Sequence, residues 1–114
     1  MRVVEPAWKK VIFHDASSAA KNGYQCPVDG YKTLTVEISG NASNTARTVT
    51  FYGKSHSGTL RAIMGVKLSD LSTGTSTTGT GEVWQFDVTG LEYVIMDLTS
   101  ITGGTVTVAG RAVA

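Results

Sequence analysis

A chain of 114 residues, 41% hydrophobic and 17% charged, is sized for one domain with its own core. Ten Lys and Arg against nine Asp and Glu leave a net charge of +1, which argues against nucleic acid and against a polybasic membrane-surface site. Cys26 is the single cysteine, so no intramolecular disulfide can form, and no segment approaches the ~20 apolar residues of a membrane span.

Residues 1–7 read as an N-terminal arm, because Pro6 lacks a backbone donor and interrupts any ladder. The opening MRVVEPAW lacks the apolar stretch of a signal peptide, so synthesis in the cytoplasm is expected. A first strand is expected over Trp8–His14. Residues 15–30 are polar and carry the turn dipeptides Asn22-Gly23 and Asp29-Gly30, with a short helix over Ala16–Lys21 as an option. The next strand, Tyr31–Ser39, alternates: Leu34, Val36 and Ile38 face one way, and Thr33, Thr35 and Glu37 the other. Turn formers fill 40–46, and a strand follows over Arg47–Lys54 with Val49 and Phe51 inward. Ser55–Gly58 is a turn. One strand is expected over Leu60–Leu68, with Gly65 marking a bulge. The run STGTSTTGTG at 72–81 reads as a mobile surface loop, or one ordered only by a neighbouring subunit. Glu82–Val88 turns Trp84, Phe86 and Val88 inward. Leu91–Thr99 does the same with Val94, Met96 and Leu98, and Thr102-Gly103-Gly104 closes a hairpin to Thr105–Val113. About seven short strands without a sustained helical period predict an all-β fold: an antiparallel β-sandwich, jelly-roll or Ig-like, over residues 8–114.

The chain also repeats itself. Residues 28–39, VDGYKTLTVEIS, match 88–99, VTGLEYVIMDLT, and 48–54, TVTFYGK, match 105–111, TVTVAGR. The matched positions are apolar, β-branched or turn-forming, so they specify scaffold and no chemistry. Two similar hairpins facing each other across one core are the simplest outcome.

Candidate chemistry is sparse. His14-Asp15 are adjacent on a strand and point to opposite faces, so a polar strand end is favoured over an acid–base pair. Ser55-His56-Ser57-Gly58 sets hydroxyls beside an imidazole, but the Gly-x-Ser-x-Gly elbow is absent and a tight polar turn is expected. Two His and one Cys lack metal-site spacing, and 72–81 lacks the Gly-Lys-Ser/Thr end of a phosphate loop. No cofactor is expected. Aromatics are the best binding candidates. Trp84 and Phe86 belong to the core, whereas Tyr31 and Tyr52 fall on the outward face and Tyr24 in a loop, where they would stack on sugar or anchor an interface.

GYKTLTVEISG, TARTVTFYGKS, GVKLSDLST, GEVWQFDVTGL and the closing GGTVTVAGRAVA resemble a family of short β proteins encoded by tailed bacteriophages and prophages, chiefly of Gram-positive hosts. The resemblance spans about Trp8 to Ala114 and implies a virion structural protein with no catalytic motif. It points to a capsid decoration or cement protein, made in the host cytoplasm, whose partners are the major capsid protein and copies of itself. Arg2, Val3, Val4 and Trp8 would then make partner contacts. The alternative is a tail-fibre or baseplate module that binds host cell-wall glycan through Tyr24, Tyr31 or Tyr52.

Overall fold

The computed structural model describes residues 7–114. The expected partner contacts Arg2, Val3 and Val4 lie outside the described residues. Ala7, at the end of the expected arm, accepts a backbone hydrogen bond from Ala114 at 2.8 Å and so continues the first strand pairing.

Eleven strands run along the described chain: β1 (Trp8–Ser17), β2 (Cys26–Pro27), β3 (Thr33–Gly40), β4 (Ala46–Lys54), β5 (Leu60–Ala62), β6 (Gly65–Lys67), β7 (Thr73–Gly74), β8 (Ser76–Thr77), β9 (Glu82–Asp87), β10 (Tyr93–Thr102) and β11 (Val106–Val113). They form an antiparallel β-sandwich. One sheet has the order β1-β11-β3-β9-β6-β7; the other has β2-β10-β4-β5, with β8 also on β4. Strand alternation builds the core. Leu34, Val36 and Ile38 of β3, Val49 and Phe51 of β4, Val94, Met96 and Leu98 of β10, and Val106 and Val108 of β11 all belong to one buried cluster between the sheets. Phe51 stands at the aromatic centre, 5.1 Å from the Trp84 ring and 4.8 Å edge-on from the Phe86 ring.

The sequence repeat is a pseudo-two-fold. The first strand of one copy pairs with the second strand of the other: β3 with β11, and β10 with β4. Val94 faces Gly53, while Val36, two residues beyond the equivalent of Val94, faces Gly110. A shift of two preserves every inward side chain, because strand parity has period two. Each copy's strands therefore lie in opposite sheets. The units expected to be hairpins are arches that cross the core, since each strand finds its ladder partner in the other copy. Gly110 is needed where the copies meet: a Cβ there would stand 2.1 Å from the Thr35 carbonyl oxygen.

The two arch corners clasp each other. Asn41 N–H donates to the Thr105 carbonyl at 3.0 Å, and Thr105 N–H returns a bond to Asn41 Oδ1 at 3.1 Å. Asn44 Nδ2 shares its protons among the carbonyls of Ala46, Thr102 and Gly103 at 3.0, 3.2 and 2.8 Å. Asn44→Ala removes these three bonds at an exposed corner, together with the one that Arg47 Nε donates to Asn44 Oδ1. It should lower unfolding free energy by about 1–2 kcal/mol, read as a shift in urea midpoint at unchanged m-value.

Four local expectations are corrected. The helix option at Ala16–Lys21 does not form; β1 runs on to Ser17 through register shifts, and Lys21 makes a bridge with Leu98. The single strand over Leu60–Leu68 is two strands in different sheets, β5 on β4 and β6 on β9. Gly65 sits just after that crossover, where a Cβ would be 2.5 Å from the Phe86 ring, so it provides close approach rather than a bulge. The run 72–81 is ordered by its own chain. Phe51 N–H donates to Thr75 O at 2.9 Å, Arg47 Nη1 to Thr78 O at 3.0 Å, and Gly81 N–H to Ile38 O at 2.8 Å.

Candidate binding surface

The outer face of the first sheet carries a groove of about 660 Å³ across β1, β11, β3 and β9. Its position follows from parity and register. On β1, Trp8, Lys10 and Ile12 point outward; on β11, Ala109, Arg111 and Val113 do so. Pairing aligns them in rows: Ile12–Ala109–Glu37–Val83 and Lys10–Arg111–Thr35–Gln85. Ala109 and Gly110 give a low floor, and Ile12, 57% exposed, stands at the rim. An exposed isoleucine on an edge strand is an apolar invitation to a partner.

Charge is uneven in this groove. Lys10 and Arg111 face each other directly across the strands, an arrangement that is destabilising without an anion. The ion pairs among the described residues are Lys67 with Asp70 at 3.4 Å and with Glu82 at 3.5 Å; no carboxylate of the described residues lies within salt-bridge distance of Lys10 or Arg111. The Arg111 guanidinium instead lies 4.2 Å from the centroid of the Trp8 ring, and Trp8 remains 51% exposed. Trp8, expected to meet a partner, also serves as a platform for the Arg111 guanidinium.

The three tyrosines are not brought together. Tyr24, 55% exposed, lies in the loop beside the β1 edge, with its N–H on Phe13 O at 3.3 Å. Tyr31 sits outside β3, half-buried against the core, under Lys9 Nζ at 4.9 Å from its ring centroid. That overturns its outward placement by strand parity: the strand begins two residues later, at Thr33. Tyr52 is half-buried on the opposite sheet, across from Ile95 and Ala62. None of the three lines the groove.

His14 is no polar strand end. A register shift in β1 between Ile12 and His14 turns both Phe13 and His14 inward, and His14 is 2% exposed. Nε2 lies 2.6 Å from the Met96 carbonyl, which can only accept, so Nε2 carries the proton. Nδ1 then accepts from the Ser17 hydroxyl at 3.3 Å. Burial pushes the His14 pKa below its ordinary value, against a smaller upward pull from the Met96 bond. Asp97, beside it, accepts from Gly23 N–H at 3.2 Å. The histidine is a clamp between β1 and β10, with both ring nitrogens engaged.

Other polar clusters fasten the frame. Burial pulls the Glu82 carboxyl upward, but bonds from Thr77 and Trp84 together with the Lys67 ammonium outweigh it and hold the pKa low. Ser55-His56-Ser57-Gly58 is a tight turn closed by Gly58 N–H on Ser55 O at 3.0 Å, with Gly58 at φ +71°. The Ser57 hydroxyl accepts from Thr59 N–H at 3.4 Å and His56 points to solvent. Among the described residues no three His, Cys, Asp or Glu side chains gather as a metal site.

The groove residues Lys10, Ile12, Glu37 and Arg111 were not singled out by the sequence. Their outward parity is readable strand by strand, but strands so distant in the chain as β1 and β11 show no local sign of pairing.

The XepA family model matches residues 7–112. The chain belongs to the XepA family. The phage-like element PBSX protein XepA of Bacillus subtilis (strain 168) is 45% identical over 102 residues, which cover 90% of this chain and 36% of the relative. The SPβ prophage-derived protein YomS of the same organism is 39% identical over 101 residues, covering 89% of this chain and 83% of YomS. Crystal structures carry the likeness into three dimensions. The SPBc2 prophage-derived protein YomS superposes with a TM-score of 0.92 at 34% identity, over 100% of this chain and 99% of that one. The PBSX exported protein XepA superposes with a TM-score of 0.94 at 40% identity, over 100% of this chain and 40% of that one. The XepA-family unit described here thus spans almost all of YomS and little more than a third of XepA. The phage and prophage origin expected from the sequence is that of these relatives.

Proposed function

We propose that this chain is a non-enzymatic virion structural protein, a capsid decoration protein on the outside of the phage head. The observation that carries the reading is the form of its best-defined surface. It is an open sheet face with exposed Trp8 and Ile12 and no nucleophile held against a base. Such a face suits contact rather than turnover, and membership of a phage- and prophage-derived family agrees with it. Its partners are the major capsid protein and further copies of the chain. Many weak contacts of this kind act together by avidity on a repeating surface.

A second reading is favoured by the groove and by the relative XepA, an exported protein of the PBSX element. In it the chain is a recognition module for the host cell envelope, acting on wall glycan. Sedimenting the purified protein with tailless DNA-filled heads and, separately, with host cell walls distinguishes the two. Saturable binding to heads is the expected result for decoration. Binding to walls alone transfers the function to envelope recognition, and binding to neither overturns both.

A further inference from the structure

Lys10 and Arg111 stand opposed with no carboxylate of the described residues at salt-bridge distance, and their surroundings limit which anion would suit them. Resting on the envelope-recognition reading, we propose that the groove on the β1-β11-β3 face binds a phosphodiester-linked polyol or sugar polymer of the bacterial wall. One phosphate sits between Lys10 and Arg111, and the hydroxylated chain extends to either side of it, over Ala109 on one side and towards Trp8 on the other.

Four features carry this. First, Lys10 and Arg111 are directly opposed, so one anionic oxygen group reaches both and removes their mutual repulsion. Second, Arg111 is already held over the Trp8 ring, so part of the ordering cost of its long side chain is met before a ligand arrives. Trp8 stays half exposed, leaving ring surface for an apolar ligand face. Third, the groove extends across four strands over a floor of Ala109 and Gly110, which suits an extended chain better than a lone ion. Fourth, Thr35 faces Arg111 and Glu37 faces Ala109. The hydroxyl and the carboxylate can bond ligand hydroxyls, while Glu37 repels a second phosphate placed close to the first. A sparsely charged, hydroxyl-rich chain fits this pattern. A nucleic acid fits it less well, because the chain has net charge +1 and the groove a single cation pair.

The test compares wild type with the Lys10→Gln/Arg111→Gln double variant. Both side chains are exposed, and thermal melting verifies that the variant folds. Arg61→Gln, on exposed β5 of the other sheet, is the control. The probes are wall sacculi with their phosphodiester polymers, the same sacculi stripped of them, isolated poly(glycerol phosphate), and single-stranded DNA. Wild type and Arg61→Gln should bind intact sacculi and the isolated polymer, with affinity falling as salt rises. The double variant should bind about tenfold more weakly or worse, and stripping should abolish wild-type binding. Equal binding by the double variant, or undiminished binding to stripped sacculi, overturns the groove proposal but leaves envelope recognition standing. Equal or tighter binding to single-stranded DNA overturns the ligand class. If wild type binds no wall material at all, the recognition reading itself fails.

Discussion

Phe51→Ala should cost about 3–5 kcal/mol of unfolding free energy. That is a large part of the ~5–15 kcal/mol available to a domain of this kind, and it should lower the melting temperature by about 10–25 °C. The reason is position. Phe51 is fully buried in β4 and is the ring that both Trp84 and Phe86 of β9 lean on, so it joins one sheet to the other. Its removal deletes two aromatic contacts and leaves a cavity that two stiff sheets close poorly. Phe51 N–H also donates to Thr75 O, so a relaxing β4 would disturb the 72–81 segment. Phe51→Leu, which keeps most of the volume, should recover more than half of the loss. Scanning calorimetry of the three proteins is the check. A loss below about 1 kcal/mol for the alanine variant would show that the sheets close over the gap.

The second large effect is at His14 and depends on pH. The folded protein holds His14 neutral, with a pKa below the ordinary 6.5 because the ring is buried. The unfolded chain takes up a proton near that ordinary value. Between the two pKa values the unfolded state therefore binds more protons, so stability rises with pH there. The contribution of His14 is fully present above about pH 6.5 and is lost as pH falls from there through the lower folded-state value. Below that window the folded protein must accommodate a buried imidazolium near Lys21, with Asp97 as its nearest favourable charge. His14→Gln removes the titration and keeps an amide donor directed at Met96 O, so its stability should stay flat between about pH 7 and pH 5. His14→Ala is also flat but strands the Met96 carbonyl and the Ser17 hydroxyl, costing about 1–3 kcal/mol at pH 7. Urea unfolding of the three proteins across that range is the measurement. A wild-type profile as flat as that of His14→Gln would show that water reaches the ring.

Particular residues show how far the sequence could be read. The inward set Leu34, Val36, Ile38, Val49, Phe51, Trp84, Phe86, Val94, Met96 and Leu98 follows from alternation, and all are buried. Gly58, Gly30 and Gly90 mark turns and do adopt positive φ. His14 defeated the same reasoning, because a bulge breaks parity and turns adjacent side chains to one side. Of the tyrosines, Tyr52 keeps its expected outward parity on β4 and Tyr24 its place in a loop, and only Tyr31 departs from its expected place. Tyr31 precedes its strand, and Tyr52 and Tyr24 belong to other surfaces. Arg111 and Lys10 carried no signal, since one is near each end of the described chain.

By itself the sequence determined the all-β class, the strand-by-strand division into buried and wet faces, the internal repeat and the phage-related family. These depend on local periodicity, turn chemistry and shared motifs, which are written into neighbouring residues. Only the tertiary structure decided that the repeats are arches, that Leu60–Leu68 divides between two sheets, and that Trp8, Lys10 and Arg111 stand side by side. Strand partnership is a long-range choice: alternation says which face a side chain takes, but many pairings in register satisfy it equally. The chosen one needs the close approach that Gly65 gives the Phe86 ring and Gly110 gives the Thr35 backbone, and the corner bonds of Asn41 and Asn44 tie it.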